Sequence, residues 1–94
     1  MPRVVITDPA RKGLVSCRQF LQTKSPFAAK RATESIRKAL KQLETNPDMG
    51  RGQGPFQELV IPFGSSGYIA LYLFDKDNDK VIILGFKYQR QSDD

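Results

Sequence analysis

The sequence predicts an α+β fold in which a helical hairpin packs on one face of an antiparallel sheet. Two segments with apolar residues at helical spacing lie in the first half of the chain, and three runs rich in β-branched and aromatic residues lie in the second half. A short β-branched run precedes both helices, so the predicted order of elements is β-α-α-β-β-β. Because 94 residues are the size of one domain, we expect residues 1–94 to form a single domain.

The first predicted elements are a strand and a helix. Val4-Val5-Ile6 is a β-branched run and predicts the first strand. Asp8-Pro9 follows, and an acidic N-cap before proline is typical of a helix start. The next apolar residues recur at spacings of three and four, as on one face of a helix: Ala10, Leu14, Cys17 and Leu21. This position predicts a core role for Cys17 rather than a catalytic one.

A second helix begins at Ser25-Pro26, which again joins a capping residue to proline. We expect it to end at Asn46-Pro47, because proline disfavours helix in the residue before it. Its predicted core positions share helical spacing: Ala29, Ala32, Ile36, Ala39, Leu40 and Leu43. Only a short break separates the two helices, which favours an antiparallel hairpin.

The remaining chain predicts a glycine-rich loop, residues 46–55, and then strands at 56–61, 68–74 and 80–88. Short connections make these three strands an antiparallel meander. The loop follows a helix and lacks Gly-Lys-Ser/Thr, so it is not read as a phosphate-binding loop. The acidic turn 75–79 lacks the glycine and the glutamate that a calcium loop requires, so it is read as a hairpin turn.

Both faces of the last two strands are apolar. A half-buried antiparallel strand alternates apolar and polar residues, yet Ile69, Leu71 and Leu73 alternate with residues that are also apolar. Two helices can cover only one face of such a sheet, so we expect a protein partner to cover the other. Loops, the C-terminal tail or a homodimer are the alternatives.

Charge is distributed unevenly along the chain. Residues 1–41 hold ten Lys or Arg and two acidic residues, giving +8, and residues 42–94 hold five and eight, giving −3. The basic half predicts either an acidic partner or a solvated helix surface. The absence of histidine excludes His-based catalysis and His-ligated metal sites, and we expect no metal or cofactor. A single cysteine and an N-terminal apolar run too short for a signal peptide predict a cytoplasmic location.

The last strand ends in Lys87-Tyr88-Gln89-Arg90, which places two cations and a phenol on a rigid scaffold. Such a group can clamp RNA phosphate and stack a base, or it can dock a protein. Arg51 is the lone cation of the glycine-rich loop.

Five segments follow one another in order along nearly the whole chain, although each segment alone has little specificity. They are Ser25-Pro26 with Ala29, Leu43-Glu44-Thr45-Asn46-Pro47-Asp48-Met49-Gly50-Arg51, Glu58-Leu59-Val60-Ile61-Pro62-Phe63-Gly64, Gly67-Tyr68-Ile69-Ala70-Leu71-Tyr72, and Val81-Ile82-Ile83-Leu84-Gly85-Phe86-Lys87-Tyr88-Gln89-Arg90. Together they resemble the RelE/ParE superfamily of bacterial type II toxins, the ParE branch most closely, which is the plasmid-stabilisation type. A His-Gln-Arg ending is common in the family, whereas this chain has tyrosine at the first of these positions, and tyrosine is not a base near pH 7.

The resemblance implies a growth-inhibiting toxin that a cognate antitoxin holds inactive. ParE-like members block replication by acting on DNA gyrase, and RelE-like members cut mRNA in the ribosomal A site. We expect the gyrase-inhibiting activity, with mRNA cleavage or a non-toxic homologue as alternatives. The candidate target-binding residues, which would be catalytic in a ribonuclease, are Arg51, Lys87, Tyr88 and Arg90. The candidate antitoxin-binding residues are Tyr68, Tyr72, Phe74, Val81 and Ile83.

Overall fold

The computed structural model describes residues 1–52, 54–63 and 66–89. Its elements follow the predicted order and are, along the chain, β1 (Arg3–Ile6), α1 (Asp8–Lys24), α2 (Pro26–Thr45), β2 (Phe56–Phe63), β3 (Ser66–Asp75) and β4 (Lys80–Gln89). The α+β fold class and the helical hairpin on one sheet are thus confirmed. None of the helices in the described residues is long and apolar enough to cross a membrane.

The four strands form one sheet in the order β1-β4-β3-β2. Strands β2, β3 and β4 are the antiparallel meander that the short connections predicted. Strand β1 pairs in parallel with β4, with Val4 opposite Val81 and Ile6 opposite Ile83. Parallel neighbours need a long crossover connection, and here it includes both helices and strands β2 and β3. The N-terminal strand β1 therefore forms one edge of the sheet, beside the last strand β4.

Thr7, and not Asp8 as predicted, is the N-cap of α1. The Thr7 hydroxyl accepts a hydrogen bond from the Ala10 N–H at 3.3 Å and donates one to the Ile83 carbonyl at 2.8 Å. Asp8 lies in the first turn, where its charge favours the positive end of the helix dipole. Because Thr7 bonds both the helix and β4, it sets the angle at which α1 leaves the sheet.

The start of α2 agrees with the prediction. Ser25 is the N-cap, and its hydroxyl accepts a hydrogen bond from the Ala28 N–H at 3.2 Å. At the other end Asn46 is the C-cap, and its N–H donates to the Gln42 carbonyl at 2.9 Å. The two helices therefore meet at a single non-helical residue, which keeps them side by side on the sheet.

The core lies between the helical hairpin and one face of the sheet. Five of the six predicted core positions of α2 are buried, and Leu40 is partly buried against them. Cys17 also packs against the core, as expected from its position on the apolar stripe of α1. Gly13 lets α1 approach β4 closely, because a Cβ atom at Gly13 would lie 3.0 Å from the Phe86 carbonyl oxygen.

The aromatic face of the sheet is the covered one, which corrects the sequence-based choice of exposed face. The candidate antitoxin-binding residues Tyr68, Tyr72, Val81 and Ile83 are all fully buried, and Phe74 packs against the same core. A partner cannot reach side chains that lie beneath the helices, so these five residues contribute to the hydrophobic core. Alternation could not select the face, because large apolar side chains occupy both sides of β3.

A β-bulge in β4 changes which residues of that strand face the helices. Leu71 lies opposite Gly85 and Tyr72 lies opposite Ile83, so Leu84 is an extra residue in the pairing. Simple alternation groups Phe86 with Ile82, but the bulge moves Phe86 to the helix side, where it pairs with the buried Ala70. Lys87 is thereby placed on the opposite side of the sheet.

Candidate functional site

The face of the sheet that points away from the helices, called the open face below, has an apolar surface that no described residue covers. One row of paired residues crosses all four strands and consists of Val5, Ile82, Leu73 and Phe56. Phe56, at the β2 end of this row, is 51% exposed. Leu71, in the centre of the face, is 37% exposed. The apolar residues of the open face are Val5, Phe56, Val60, Ile69, Leu71, Leu73 and Ile82. An apolar surface of this kind is typical of a protein-binding site.

Lys87 lies on the open face beside this apolar surface. It pairs with Ile69, which in turn pairs with Val60, so the three side chains form one row. Lys87 is exposed. The bulge places its ammonium group on the side where a partner can reach it.

Arg51 reaches the same face from the loop after α2. It forms an isolated antiparallel bridge with Glu58, in which the Arg51 N–H donates to the Glu58 carbonyl at 2.8 Å and the Glu58 N–H donates to the Arg51 carbonyl at 2.6 Å. Glu58 pairs with Leu71 on its other side. Paired residues of antiparallel strands project to the same face, so Arg51 extends the row at the outer edge of β2.

A shallow groove of about 180 Å³ crosses the open face between Glu58 and Lys87. Gly85 forms part of it, and a Cβ atom there would meet nothing within 4 Å. Glu58 and Lys87 form no ion pair with each other or with another described residue. The groove therefore presents a carboxylate and an ammonium group on an apolar floor, and both charges are available to a partner.

Tyr88 lies on the other side of β4 from Lys87. Its ring centre is 5.5 Å from that of Tyr68 and 5.8 Å from that of Phe20, and its side chain is 38% exposed. The Lys24 ammonium group lies 5.3 Å from the centre of the Phe20 ring, so a cation borders this aromatic cluster. Local patterns do not single out Lys24, because the cluster forms only when Tyr88 of the distant strand β4 meets Phe20.

The four candidate target-binding residues are therefore divided. Arg51 and Lys87 border the open face, and Tyr88 lies on the helix side of the sheet. Arg90 lies outside the described residues. A phosphodiester-cleaving site needs a base, an acid and a cation around one phosphate, whereas Lys87 and Tyr88 project to opposite faces.

Tyr72 connects the loop before Arg51 to the core. Its hydroxyl accepts a hydrogen bond from the Gly50 N–H at 2.8 Å and lies 2.8 Å from the Pro47 carbonyl oxygen and 2.7 Å from Gln57 Oε1. Burial raises the pKa of Tyr72, and the Gly50 hydrogen bond opposes that rise. The hydroxyl stays protonated at neutral pH and can donate to one of the two oxygens.

Tyr68 occupies an equally buried position, but its hydroxyl has no hydrogen-bond partner among the described residues. Burial, with smaller contributions from Cys17 and Tyr88, raises the pKa of Tyr68 to about 12. Burial likewise raises the pKa of the Cys17 thiol, which keeps it protonated and unreactive. Neither group is prepared for acid–base chemistry at neutral pH.

Comparison with known proteins identifies the family of the chain. A family model described as the ParE toxin of the type II toxin–antitoxin system, parDE, matches residues 4–93. This chain belongs to the ParE toxin family. The match includes both helices and strands β2, β3 and β4 in full.

A relative from Caulobacter vibrioides, named Toxin RelE3, is 34% identical over 73 residues, which is 77% of this chain and 79% of the relative. The ParE family match and this relative identify the chain as a type II toxin of the RelE/ParE superfamily. Membership in a toxin–antitoxin family implies a cognate antitoxin as partner. The resemblance drawn from the sequence is thereby confirmed at the level of the superfamily and of the ParE branch.

Proposed function

We propose that this ParE-family protein inhibits DNA gyrase by binding to it through the open face, and that the cognate antitoxin neutralises it by covering that face. The observation that carries the proposal is the position of Arg51 and Lys87 at the border of one apolar surface that no described residue covers. A binding surface needs an apolar centre with charges at its edge and no catalytic group.

The distribution of cations on the sheet supports binding rather than RNA cleavage. Strands β2 and β3 contain no Lys or Arg, so the centre of the open face offers nothing to neutralise a phosphate backbone. Lys87 and Tyr88 could serve together only if they met at one phosphate, and the strand directs them to opposite sides. Lys87 pairs with the apolar Ile69, and Arg51 lies beside Glu58 at the border of the same apolar surface, an arrangement that suits a protein target better.

Ribosome-dependent mRNA cleavage is the second candidate function, because the relative from Caulobacter vibrioides carries the name RelE3. In that case Arg51 and Lys87 would contact the transcript and Tyr88 would act on the helix side. This candidate requires the two sides of β4 to contribute to one site.

The deciding experiment compares the two targets with the same purified protein. We expect the toxin to inhibit supercoiling by gyrase, or to trap cleaved DNA, and the antitoxin to reverse the effect. Unaffected gyrase together with mRNA cuts in the A site of translating ribosomes would replace the proposal by the second candidate. Harmless expression without antitoxin would indicate a non-toxic homologue.

Arg90 belongs to the proposed target contact by resemblance to the family. We expect Arg90→Ala to abolish toxicity and to leave antitoxin binding intact. Unchanged growth arrest by this variant would remove Arg90 from the target-binding residues.

A further inference from the structure

We propose that Tyr72 is a positioning residue for Arg51. Its buried hydroxyl holds the loop that precedes Arg51, and this determines where the Arg51 backbone lies and from which point its side chain extends at the border of the open face. The functional part of this inference rests on the proposed role of Arg51 in target binding. The structural part concerns only the loop and can be tested by itself.

The hydroxyl of Tyr72 is surrounded by groups of the loop and of β2. It accepts the Gly50 N–H at 2.8 Å and lies within hydrogen-bond distance of the Pro47 carbonyl and of Gln57 Oε1. Tyr72 is fully buried and sits in the centre of the sheet on β3. A rigid strand in the core therefore determines the position of Gly50.

Because Gly50 is bonded to Arg51, the fixed position of Gly50 also limits where the Arg51 backbone can lie. The Arg51 backbone makes two hydrogen bonds with Glu58 on β2. Successive residues of the loop are thus bonded to two neighbouring strands, Gly50 to β3 and Arg51 to β2. The Arg51 side chain is exposed and forms no ion pair with any residue in the described ranges, so the contacts that hold Arg51 are those of its backbone.

The fit between Gly50 and Tyr72 leaves no room for a side chain. A Cβ atom at Gly50 would lie 2.5 Å from the Tyr72 hydroxyl oxygen and 2.7 Å from a ring carbon. The loop can approach the hydroxyl this closely only with glycine at this position.

Tyr68 provides a matched contrast on the same strand. It faces the same side as Tyr72 and is equally buried, but its hydroxyl bonds to no described residue. Tyr68→Phe removes a buried hydroxyl from the core, as Tyr72→Phe does, but it removes no hydrogen bond to the loop.

The structural test measures amide hydrogen exchange by NMR in the full chain. We expect Tyr72→Phe to accelerate exchange at Gly50 and Arg51 by about tenfold or more, because the Gly50 N–H loses its acceptor and the loop loosens. Tyr68→Phe should leave both rates at the wild-type value. Wild-type exchange rates in Tyr72→Phe would overturn the inference, whatever the target of the toxin is.

The functional test is a double-mutant cycle read as growth arrest on expression without antitoxin, a readout that does not depend on which target is correct. Tyr72→Phe should weaken growth arrest. The double variant Tyr72→Phe with Arg51→Ala should arrest growth as strongly as Arg51→Ala alone. Antitoxin affinity and the melting temperature check that the fold is retained. Independent, multiplicative losses would show that Tyr72 does not act through Arg51, whereas failure to inhibit gyrase would refute only the proposed function.

Discussion

The Tyr72 hydroxyl accepts a hydrogen bond from the Gly50 N–H at 2.8 Å, which joins the central strand of the sheet to the loop that follows α2. The bond joins residues 22 positions apart in the sequence, and Tyr72 is fully buried. Because Arg51 follows Gly50, the core of the protein is linked to a residue at the border of the open face. The stability of the core and the geometry of the proposed target surface are therefore coupled at one point.

Gly50→Ala should destabilise the fold by about 1–3 kcal/mol, because the added methyl group would overlap the Tyr72 hydroxyl and ring. Urea unfolding measures the change. Gly85→Ala is the matched control, since a methyl group at Gly85 would meet nothing within 4 Å. Equal stability of the Gly50 variant and the wild type would show that the loop can move aside freely.

The free energy of unfolding should fall as pH rises from 10 to 12. The pKa of Tyr68 is about 12 in the folded protein against 10 for an exposed tyrosine, so in this range the unfolded state releases a proton that the folded state keeps. This release lowers the free energy of the unfolded state relative to that of the folded state. The free energy of unfolding therefore falls by about 2–3 kcal/mol as the pH approaches 12. The raised pKa of Tyr72 acts in the same direction.

The control for this pH dependence is Tyr68→Phe, measured by urea unfolding at pH 8, 10 and 11. Its stability should decline less than that of the wild type, since the titrating group is gone. At neutral pH it should be at least as stable, because a buried hydroxyl without a hydrogen bond costs about 1–3 kcal/mol. Parallel curves for the two proteins would contradict the assignment.

Lys87→Ala should weaken target inhibition by about tenfold or more, because the ammonium group borders the proposed contact surface. Its free energy of unfolding should change by less than about 0.5 kcal/mol, as is usual for exposed positions. Lys76→Ala, in the exposed β3–β4 turn, removes the same charge away from the groove and should behave as the wild type. Equal inhibition by both variants would exclude Lys87 from the contact.

Leu71→Asp should reduce antitoxin affinity by about tenfold or more, because it puts a charge in the centre of the apolar open face. Calorimetric titration with the antitoxin measures the effect. Phe27→Asp is the control, since Phe27 is 70% exposed at the start of α2 on the helical side. If Phe27→Asp lost affinity and Leu71→Asp did not, the antitoxin would bind the helices and not the open face.

The sequence by itself determined the order of elements, the buried stripe of α2, the meander and the family. These features follow from local patterns, in which apolar spacing, proline positions and short connections leave few alternatives. Sequence also showed that the strands have more apolar surface than two helices can cover. The choice of Asp8 as N-cap failed because Thr7 stands beside it and also bonds β4, a partner 76 residues away.

Only the tertiary structure decided which face of the sheet is covered and where the candidate residues lie. Alternation cannot distinguish two apolar faces, so the burial of Tyr68 and Tyr72 depended on which side the helices pack. The bulge at Leu84 shifted the alternation of β4 by one residue, which placed Lys87 on the open face and Tyr88 on the helix side, and a bulge arises from pairing with a neighbouring strand. Arg51 reached the open face through backbone bonds to Glu58, which no local pattern encodes because all residues except proline have the same backbone N–H and C=O groups.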